Sequence, residues 1–321
     1  MAGIVTKVYN SIALLSPQIE VKLRQLYWKN NSRLSQYNPN KHIASKSGDS
    51  KEEESVDFNM ILSQLKLWGV KKGSLLIVHS SYDKLKCTGL SPIDIIKKLR
   101  ELVGESGTLA MPVIRSYKEE PAAIDKLKET YRPPKCVYNV RRTPISSGLL
   151  PTFLMRMPDA QVSLHPLNPM CAVGPLAAEM MKGNIDGEAP SPHGPSSAWK
   201  FCLDHNAIVI GLGTDLRHHN TMTHVAEEAF GDWYWSDEDW YNLREFTIER
   251  LEGDPIELSV KERKPLWGML HQAEMNRYRD FLKNEIIFSK NFGSVLVELE
   301  YSQNLITYLR SRNEKGYPYF K

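Results

Sequence analysis

Ala207-Ile208-Val209-Ile210-Gly211-Leu212-Gly213 is followed, after a short loop, by Asn220-Thr221-Met222-Thr223-His224-Val225-Ala226-Glu227-Glu228. The first run is apolar without alternation and is bounded by glycine, the pattern of a strand buried on both faces. The second opens with Asn and Thr, which cap helices, and continues as a short helix. Its histidine lies just past a strand end, where an imidazole can take a proton near neutral pH. Strand, turn and helix in this order predict an α/β sheet that presents a base to a substrate.

The same alternation extends outward. Ser74 to His79 reads as a strand, preceded by a helix that Asp57 caps and Gly69 ends. Ser91-Pro92-Ile93-Asp94 opens a further helix, with a cap, proline at the first helical position and an early acid. Gly107 to Pro112 is a second strand, a helix near 147–156 follows, and a helix from Ser196 to Asn206 leads into the 207–213 strand. Residues 115–142 form a long polar stretch, and a loop of that length is usually functional or mobile. The last third mixes strands (244–250, 255–261 and 293–300) with helices (271–285 and 302–313). The expected fold is α/β, a mixed central sheet flanked by helices. Residues 4–30 suggest one or two amphipathic helices and 31–56 a polar, partly disordered linker. The chain therefore divides into an extension, 1–56, and a main domain, 57–321. The extension packs on the main domain or a partner subunit in one reading and lies on a membrane surface in the other.

A chain of 321 residues can bury one large core, and a net charge of +3 with no basic stripe argues against a nucleic-acid partner. Four dispersed cysteines, Cys87, Cys136, Cys171 and Cys202, suggest no disulfide framework and fit a reducing cytoplasm. No apolar run is long enough to span a bilayer. The reading leaves a homodimer open.

Several short constellations sit where an α/β sheet places its ligands. His79-Ser80-Ser81 ends the first core strand, and hydroxyls and N–H groups there suit a phosphate or a thioester carbonyl; a turn satisfied by its own serines is the other reading. Thr143-Pro144-Ile145-Ser146-Ser147-Gly148 enters a helix and either holds an anion or simply caps. His165-Pro166 by itself reads as structural. Gly211-Leu212-Gly213 lacks the third glycine of a dinucleotide fingerprint. His218, His219 and His224 could hold a metal for a hydrolase, although there is no HExxH and no matched Cys/His set.

Taken together, these segments resemble the aminoglycoside 3-N-acetyltransferase family, collinearly from about residue 58 to 230. The resemblance is carried by Val78 to Ser81, Gly107 to Pro112, Thr143 to Gly148, His165-Pro166 through Gly174, His193-Gly194-Pro195-Ser196-Ser197, and Gly211 through Glu227. It implies the antibiotic N-acetyltransferase-like fold and acetyl transfer from acetyl-CoA, as co-substrate, to an amine of an amino sugar. It places the catalytic base at His224 and a supporting carboxylate at Glu262, with Glu257 as fallback. CoA would lie along His79, Ser80, Ser81, Thr143, Ser146, Ser147, Gly148, Ser163 and His165. The chain departs from the family at Val162, at Pro169, at Ala198 and in a longer 214–219 loop.

Amine acetylation needs a neutral nitrogen, which a positioned imidazole can provide. Thr221 or the serines that follow the 74–79 strand could donate to the thioester oxygen as it gains charge. Direct transfer without an acyl-enzyme is expected. For the acceptor, Glu119, Glu120, Glu227 and Asp237 offer carboxylates, and Trp235 and Trp240 flank an acidic run that suits sugar faces. Lys118, Lys126, Lys128, Arg132 and Lys135 in the long loop equally suit an anionic amino sugar. The alternatives are a metal-dependent hydrolase built on the histidine cluster and a non-catalytic binding protein.

Overall fold

The computed structural model describes residues 2–30, 55–313 and 317–320, with side chains from residue 7 onward. The linker expected at 31–56 lies almost entirely outside the described residues.

The main sheet has a parallel centre, in which β1 (Leu75–Ser80) lies between β2 (Thr108–Pro112) and β6 (Ile208–Leu212). Both flanks are antiparallel, with β5 (Met170–Val173) and β4 (Gln161–Val162) on one side and β10 (Val295–Tyr301) and β9 (Ile287–Phe292) on the other. The seven strands thus run in the order β4-β5-β2-β1-β6-β10-β9. The parallel strands are apolar through their centres because both faces are covered. Leu76, Val78, Ile208 and Ile210 enter one core, while Leu75, Ile77 and Val209 enter the other. Helices Phe58–Leu67 and Pro92–Val103 contribute Ile61, Leu65, Ile95 and Leu99 to the first. Helices Ala198–Asp204 and Ser302–Asn313 contribute Trp199, Cys202, Leu305 and Leu309 to the second. The helix between β1 and β2 is the crossover a parallel pair requires. Asp57 and Ser91 cap as expected, each accepting a backbone N–H through its side chain.

A second sheet holds β3 (Cys136–Asn139), β7 (Tyr241–Glu249) and β8 (Ile256–Arg263), with β3 parallel to β7 and β8 antiparallel to it. The sequence reading misses β3, buried inside the long polar stretch, and β9, whose central residues Ser289, Lys290 and Asn291 are exposed. A polar edge strand protects the sheet from pairing further and lacks the alternation that identifies strands.

The N-terminal extension forms two helices, α1 (Ala2–Ala13) and α2 (Pro17–Lys29), which dock on the main domain. Helix Glu274–Lys283 has no side-chain cap of its own. Glu20 takes that role from α2: its buried carboxylate accepts the N–H groups of Met275 (2.7 Å) and Asn276 (2.9 Å) and the Asn276 amide (2.7 Å). An anion suits the positive end of a helix, and four N–H groups there otherwise lack partners. Arg24 adds bonds to the Gln272 carbonyl (2.7 Å) and the Glu274 carboxylate (2.7 Å). The four cysteines are free. No helix among the described residues is long and apolar enough to cross a membrane.

Candidate active site

The carboxyl ends of β1 and β6 lie side by side, with His79 opposite Gly211 and Ser80 opposite Leu212. Ser81 N–H continues the pairing to the Leu212 carbonyl at 2.9 Å. The chain turns away at Gly213, where φ is +68° and a Cβ would stand 2.8 Å from Lys84 Cβ and 3.0 Å from the Ser81 carbonyl. Only glycine fits both the backbone angle and the space. The 143–148 turn reaches the same edge: a Cβ on Gly148 would lie 3.7 Å from the Ser80 carbonyl.

Beyond β6 the chain loops back and opens helix Thr223–Glu228. Asn220 does not cap this helix through its side chain, contrary to the sequence expectation. Its amide instead donates to the buried Glu300 on β10 (2.8 Å), and its carbonyl accepts the Thr223 hydroxyl (2.8 Å). Val225 and Ala226 are in the core, which fixes the rotation of the helix. His224 and Glu227, three residues apart, then share one face. Glu227 Oε2 lies 2.8 Å from His224 Nδ1, with the carboxylate fully buried and the ring 15% exposed. Two groups meet Nδ1: Glu227, which can only accept, and Arg263 Nη1 at 3.1 Å, which can only donate. With the shorter Glu227 contact made, the proton sits on Nδ1, Nε2 keeps its lone pair, and Arg263 stands by as a neighbouring charge. Nε2 forms no hydrogen bond among the described residues. Burial, together with the Arg263 guanidinium, lowers the His224 pKa to about 4 against the opposing pull of Glu227, so the ring is neutral at neutral pH. Burial would raise the Glu227 pKa, but His224 and Arg263 bring it down to about 2. Arg263 Nη1 donates to the same Glu227 oxygen at 3.2 Å.

A second histidine stands against the first. The rings of His193 and His224 are 4.9 Å apart, centroid to centroid. His193 Nδ1 lies 3.2 Å from Glu228 Oε2, and the same oxygen accepts the His193 backbone N–H at 3.2 Å. The other ring nitrogen meets the Asn168 amide at 3.1 Å. Asn168 has φ +46°, and its carbonyl accepts the Trp199 indole N–H at 2.9 Å. Trp199 stacks on His79, with ring centroids 6.3 Å apart and planes 20° apart. His79 is buried, its Nε2 is unpartnered, and burial lowers its pKa to about 3.

The carboxylate expected beside His224 is not Glu262. That side chain accepts Arg244 Nη1 at 2.8 Å within the small sheet and makes no contact with His224. Glu257 is exposed, paired with Lys135 (2.7 Å) and the Thr247 hydroxyl (2.7 Å). The partner is Glu227, assigned from sequence to the acceptor; full burial removes it from direct contact with one. Thr221 accepts the His224 N–H through its carbonyl (3.1 Å). Glu120 pairs with Lys126 and with Arg244 (2.6 Å), Asp237 is exposed and pairs with Lys261 (2.6 Å), and Glu119 is exposed. Trp240 is buried in an aromatic cluster with Trp235, Trp267 and Phe320 and offers no open face to a sugar. Of the loop cations, Lys126 pairs with Glu120 and Lys128 with Asp125 (2.6 Å), Lys135 pairs with Glu257 on β8, and Arg132 donates to the Glu129 and Tyr131 carbonyls.

The hydroxyls read as contacts for the co-substrate fall into two groups. Ser80 and Ser81 remain half-buried at the strand edge with no side-chain bond among the described residues. Thr143 Oγ1 accepts Asn139 N–H (2.9 Å), Ser146 Oγ donates to the Ile114 carbonyl (3.2 Å), and Ser147 Oγ donates to the Pro112 carbonyl (2.7 Å). These three build the turn. Ser163 Oγ accepts the His165 N–H (3.1 Å); the His165 ring lies 3.0 Å from the Leu167 carbonyl and 3.3 Å from the Pro190 carbonyl. Burial lowers the His165 pKa to about 4. The three histidines of the possible metal cluster take separate partners: His218 pairs with Asp215 (2.8 Å), His219 with Thr214 (3.0 Å) and His224 with Glu227. Among the described residues no group of His, Cys, Asp and Glu has the arrangement of a metal site.

Sequence reasoning does not single out His193, Glu228, Arg263 and Asn168 as site residues. The available signals are the second of two consecutive acids and a His-Gly-Pro turn; Arg263 has none, because only the return of β8 brings it near.

The fold and this edge define an α/β protein with a carboxylate-backed imidazole at the carboxyl ends of parallel strands. A family model described as aminoglycoside 3-N-acetyltransferase matches residues 77–309, and the chain belongs to that family. Among curated relatives, aminoglycoside N(3)-acetyltransferase IV from Salmonella sp is 29% identical over 171 residues, covering 52% of this chain and 57% of the relative. Aminoglycoside N(3)-acetyltransferase III from Serratia marcescens is 34% identical over 164 residues, covering 50% and 59%. The aligned stretch thus spans a little over half the length of these relatives. Among solved structures, aminoglycoside acetyltransferase AAC(3)-Xa superposes with a TM-score of 0.64 at 20% identity, covering 82% of this chain and 94% of that one. AAC-IIIb, solved with CoASH, gives 0.63 at 18% identity, covering 82% and 98%. At these identities the superpositions establish the fold.

Proposed function

We propose that this chain transfers the acetyl group of acetyl-CoA directly to an amine of an aminoglycoside or a related amino sugar, with His224 as general base. The observation that carries this reading is the buried Glu227 carboxylate at 2.8 Å from His224 Nδ1, which leaves Nε2 as the free basic nitrogen. Family membership supplies the reaction class. Two structural relatives are described as complexes of a histidine-to-alanine variant of AAC(3)-IVa with a gentamicin and with apramycin, which supports an aminoglycoside as the first acceptor to try.

An ammonium has no lone pair, so Nε2 removes its proton as nitrogen attacks the thioester carbon. The C–S bond then breaks, and the departing thiolate takes the second proton from nitrogen and leaves as the thiol. Glu227 holds the imidazolium that forms and fixes its tautomer, a contribution of about 10²–10⁴ in rate for a placed base. Arg263 and the buried position make His224 a weak base, so the acceptor must arrive with its amine already easily deprotonated or be desolvated on binding. Acetyl-CoA would run along the joined ends of β1 and the 143–148 turn, where Ser80 and Ser81 can face the thioester oxygen. Thr143, Ser146 and Ser147 would shape that channel through their backbone rather than through free hydroxyls. Four free cysteines fit a reducing, cytoplasmic setting.

His224→Ala should lose at least about a hundredfold in kcat with acetyl-CoA and gentamicin, read by thiol release, while calorimetry still records CoA binding. Turnover near that of the unaltered chain would end the assignment.

A further inference from the structure

The consecutive acids Glu227 and Glu228 serve two different histidines, and those histidines touch. We propose that His193 and Glu228 form a second imidazole–carboxylate pair that positions His224 and governs how readily it accepts a proton. The inference rests on the general-base reading of His224 but adds residues to which that reading gives no part.

His193 cannot itself be the base. Its Nε2 is taken by the Asn168 amide at 3.1 Å, its Nδ1 stands 3.2 Å from Glu228 Oε2 without a hydrogen bond of its own, and the side chain is 3% exposed. An amide donor at one nitrogen puts the proton on the other, toward Glu228. The ring is thus held in one orientation by two groups from separate segments. Its face meets His224 at 4.9 Å, which limits the rotation of the His224 ring about the bond to Glu227. Glu228 is buried and ionised, with burial raising its pKa but His193 and His224 together holding it below the ordinary carboxylate range. It therefore places a second negative charge near any imidazolium formed at His224. The His193 imidazole acts in the opposite sense, lowering the His224 pKa.

The other charged or titratable groups facing the pair come from every packed element. They are Glu227 on the same helix, Arg263 from β8, Tyr241 from β7, Arg277 from helix Glu274–Lys283, Tyr317 from the C-terminal segment and His165 from the loop before β5. Altering His193 or Glu228 alone therefore changes the nearest charge balance without dismantling the rest.

The test is ring-proton NMR of His224 across a pH titration, made on the full chain without substrate, in His193→Asn and Glu228→Gln. Asparagine keeps an amide donor for Glu228 but cannot titrate. In His193→Asn the His224 midpoint should rise by about one pH unit, because the carboxylate stays and the competing imidazole is gone. In Glu228→Gln it should fall by a comparable amount, and kcat with gentamicin should drop about tenfold with the KM for acetyl-CoA unchanged. A His224 midpoint that stays put in both variants, with only thermal stability altered, overturns the proposal. Midpoints that move as stated, beside an unaltered chain that acetylates nothing, would uphold the coupling and sink the acetyl-transfer reading instead.

Discussion

Two carboxylates near an arginine, the buried Glu227 and the half-buried Glu262, occupy similar chemistry and do different things. Glu262, with Glu120, surrounds the Arg244 guanidinium, whose side chain is 1% exposed and whose remaining donors reach the Pro134 carbonyl and Cys136 Sγ. Each nitrogen of that cation has a partner, though Glu262 Oε2 has none, and the cation's flat face lies over Phe246, 4.9 Å from the ring centroid. Glu227 also accepts an arginine, Arg263, but its other partner is a ring with one nitrogen left over. The first arrangement ties the long loop to the small sheet; the second can exchange a proton. A filled network fixes structure, and a network with one open valence at a partly accessible edge can do chemistry.

The strongest way to break this contrast is to neutralise both acids in turn. Glu227→Gln should lower kcat about 10²–10³-fold through loss of the tautomer and of imidazolium stabilisation, whereas Glu262→Gln should leave kcat within about twofold. Equal losses in steady-state assays would show that the small sheet takes part in turnover. Removing the cation probes the other side. Arg244→Leu leaves Glu120 and Glu262 without their partner in a largely dry site, and urea unfolding should register a loss of about 3–5 kcal/mol. The fraction that remains folded should keep its turnover number.

The smallest effect concerns a third acid. Burial raises the Glu300 pKa to about 8. A carboxyl with a raised folded-state pKa gives stability that is complete below its unfolded pKa and is lost as pH rises through the folded value. Glu300→Gln, which keeps an acceptor for Asn220, should therefore melt about 5 °C above the unaltered chain at pH 8.5. The advantage should vanish toward pH 4. A pH-independent difference would show that Glu300 is ionised in the fold, and that the loop leading to His224 is anchored by charge.

Much of the main sheet is legible because its strands are buried on both faces. Runs such as Leu75 to Val78 and Ala207 to Leu212 admit few other readings, and Asp57 and Ser91 mark helix starts by their own chemistry. β3 and β9 are illegible because a strand at an edge or inside a polar stretch needs no apolar period. Within the site, His224 is legible from its place after β6. Its carboxylate is misassigned to Glu262, because sequence alone cannot say whether an acid on a later strand or one turn along the helix comes within 3 Å. The spacing from His224 to Glu227 is available and physically sufficient. His193 and Asn168 come from loops whose approach depends on how β5 and helix Ala198–Asp204 are packed, and no local pattern records that.

Glu20 turns the leading helices into a working part of the molecule. Its carboxylate closes a helix that carries Arg277, and Arg277 in turn lends charge to the environment of Glu227. Trimming the chain to residues 77–309, the segment that matches the family, would leave the N–H groups of Met275 and Asn276 and the Asn276 amide without their acceptor. A purification tag or fusion joined at that cut would reach the charge environment of Glu227 through Arg277.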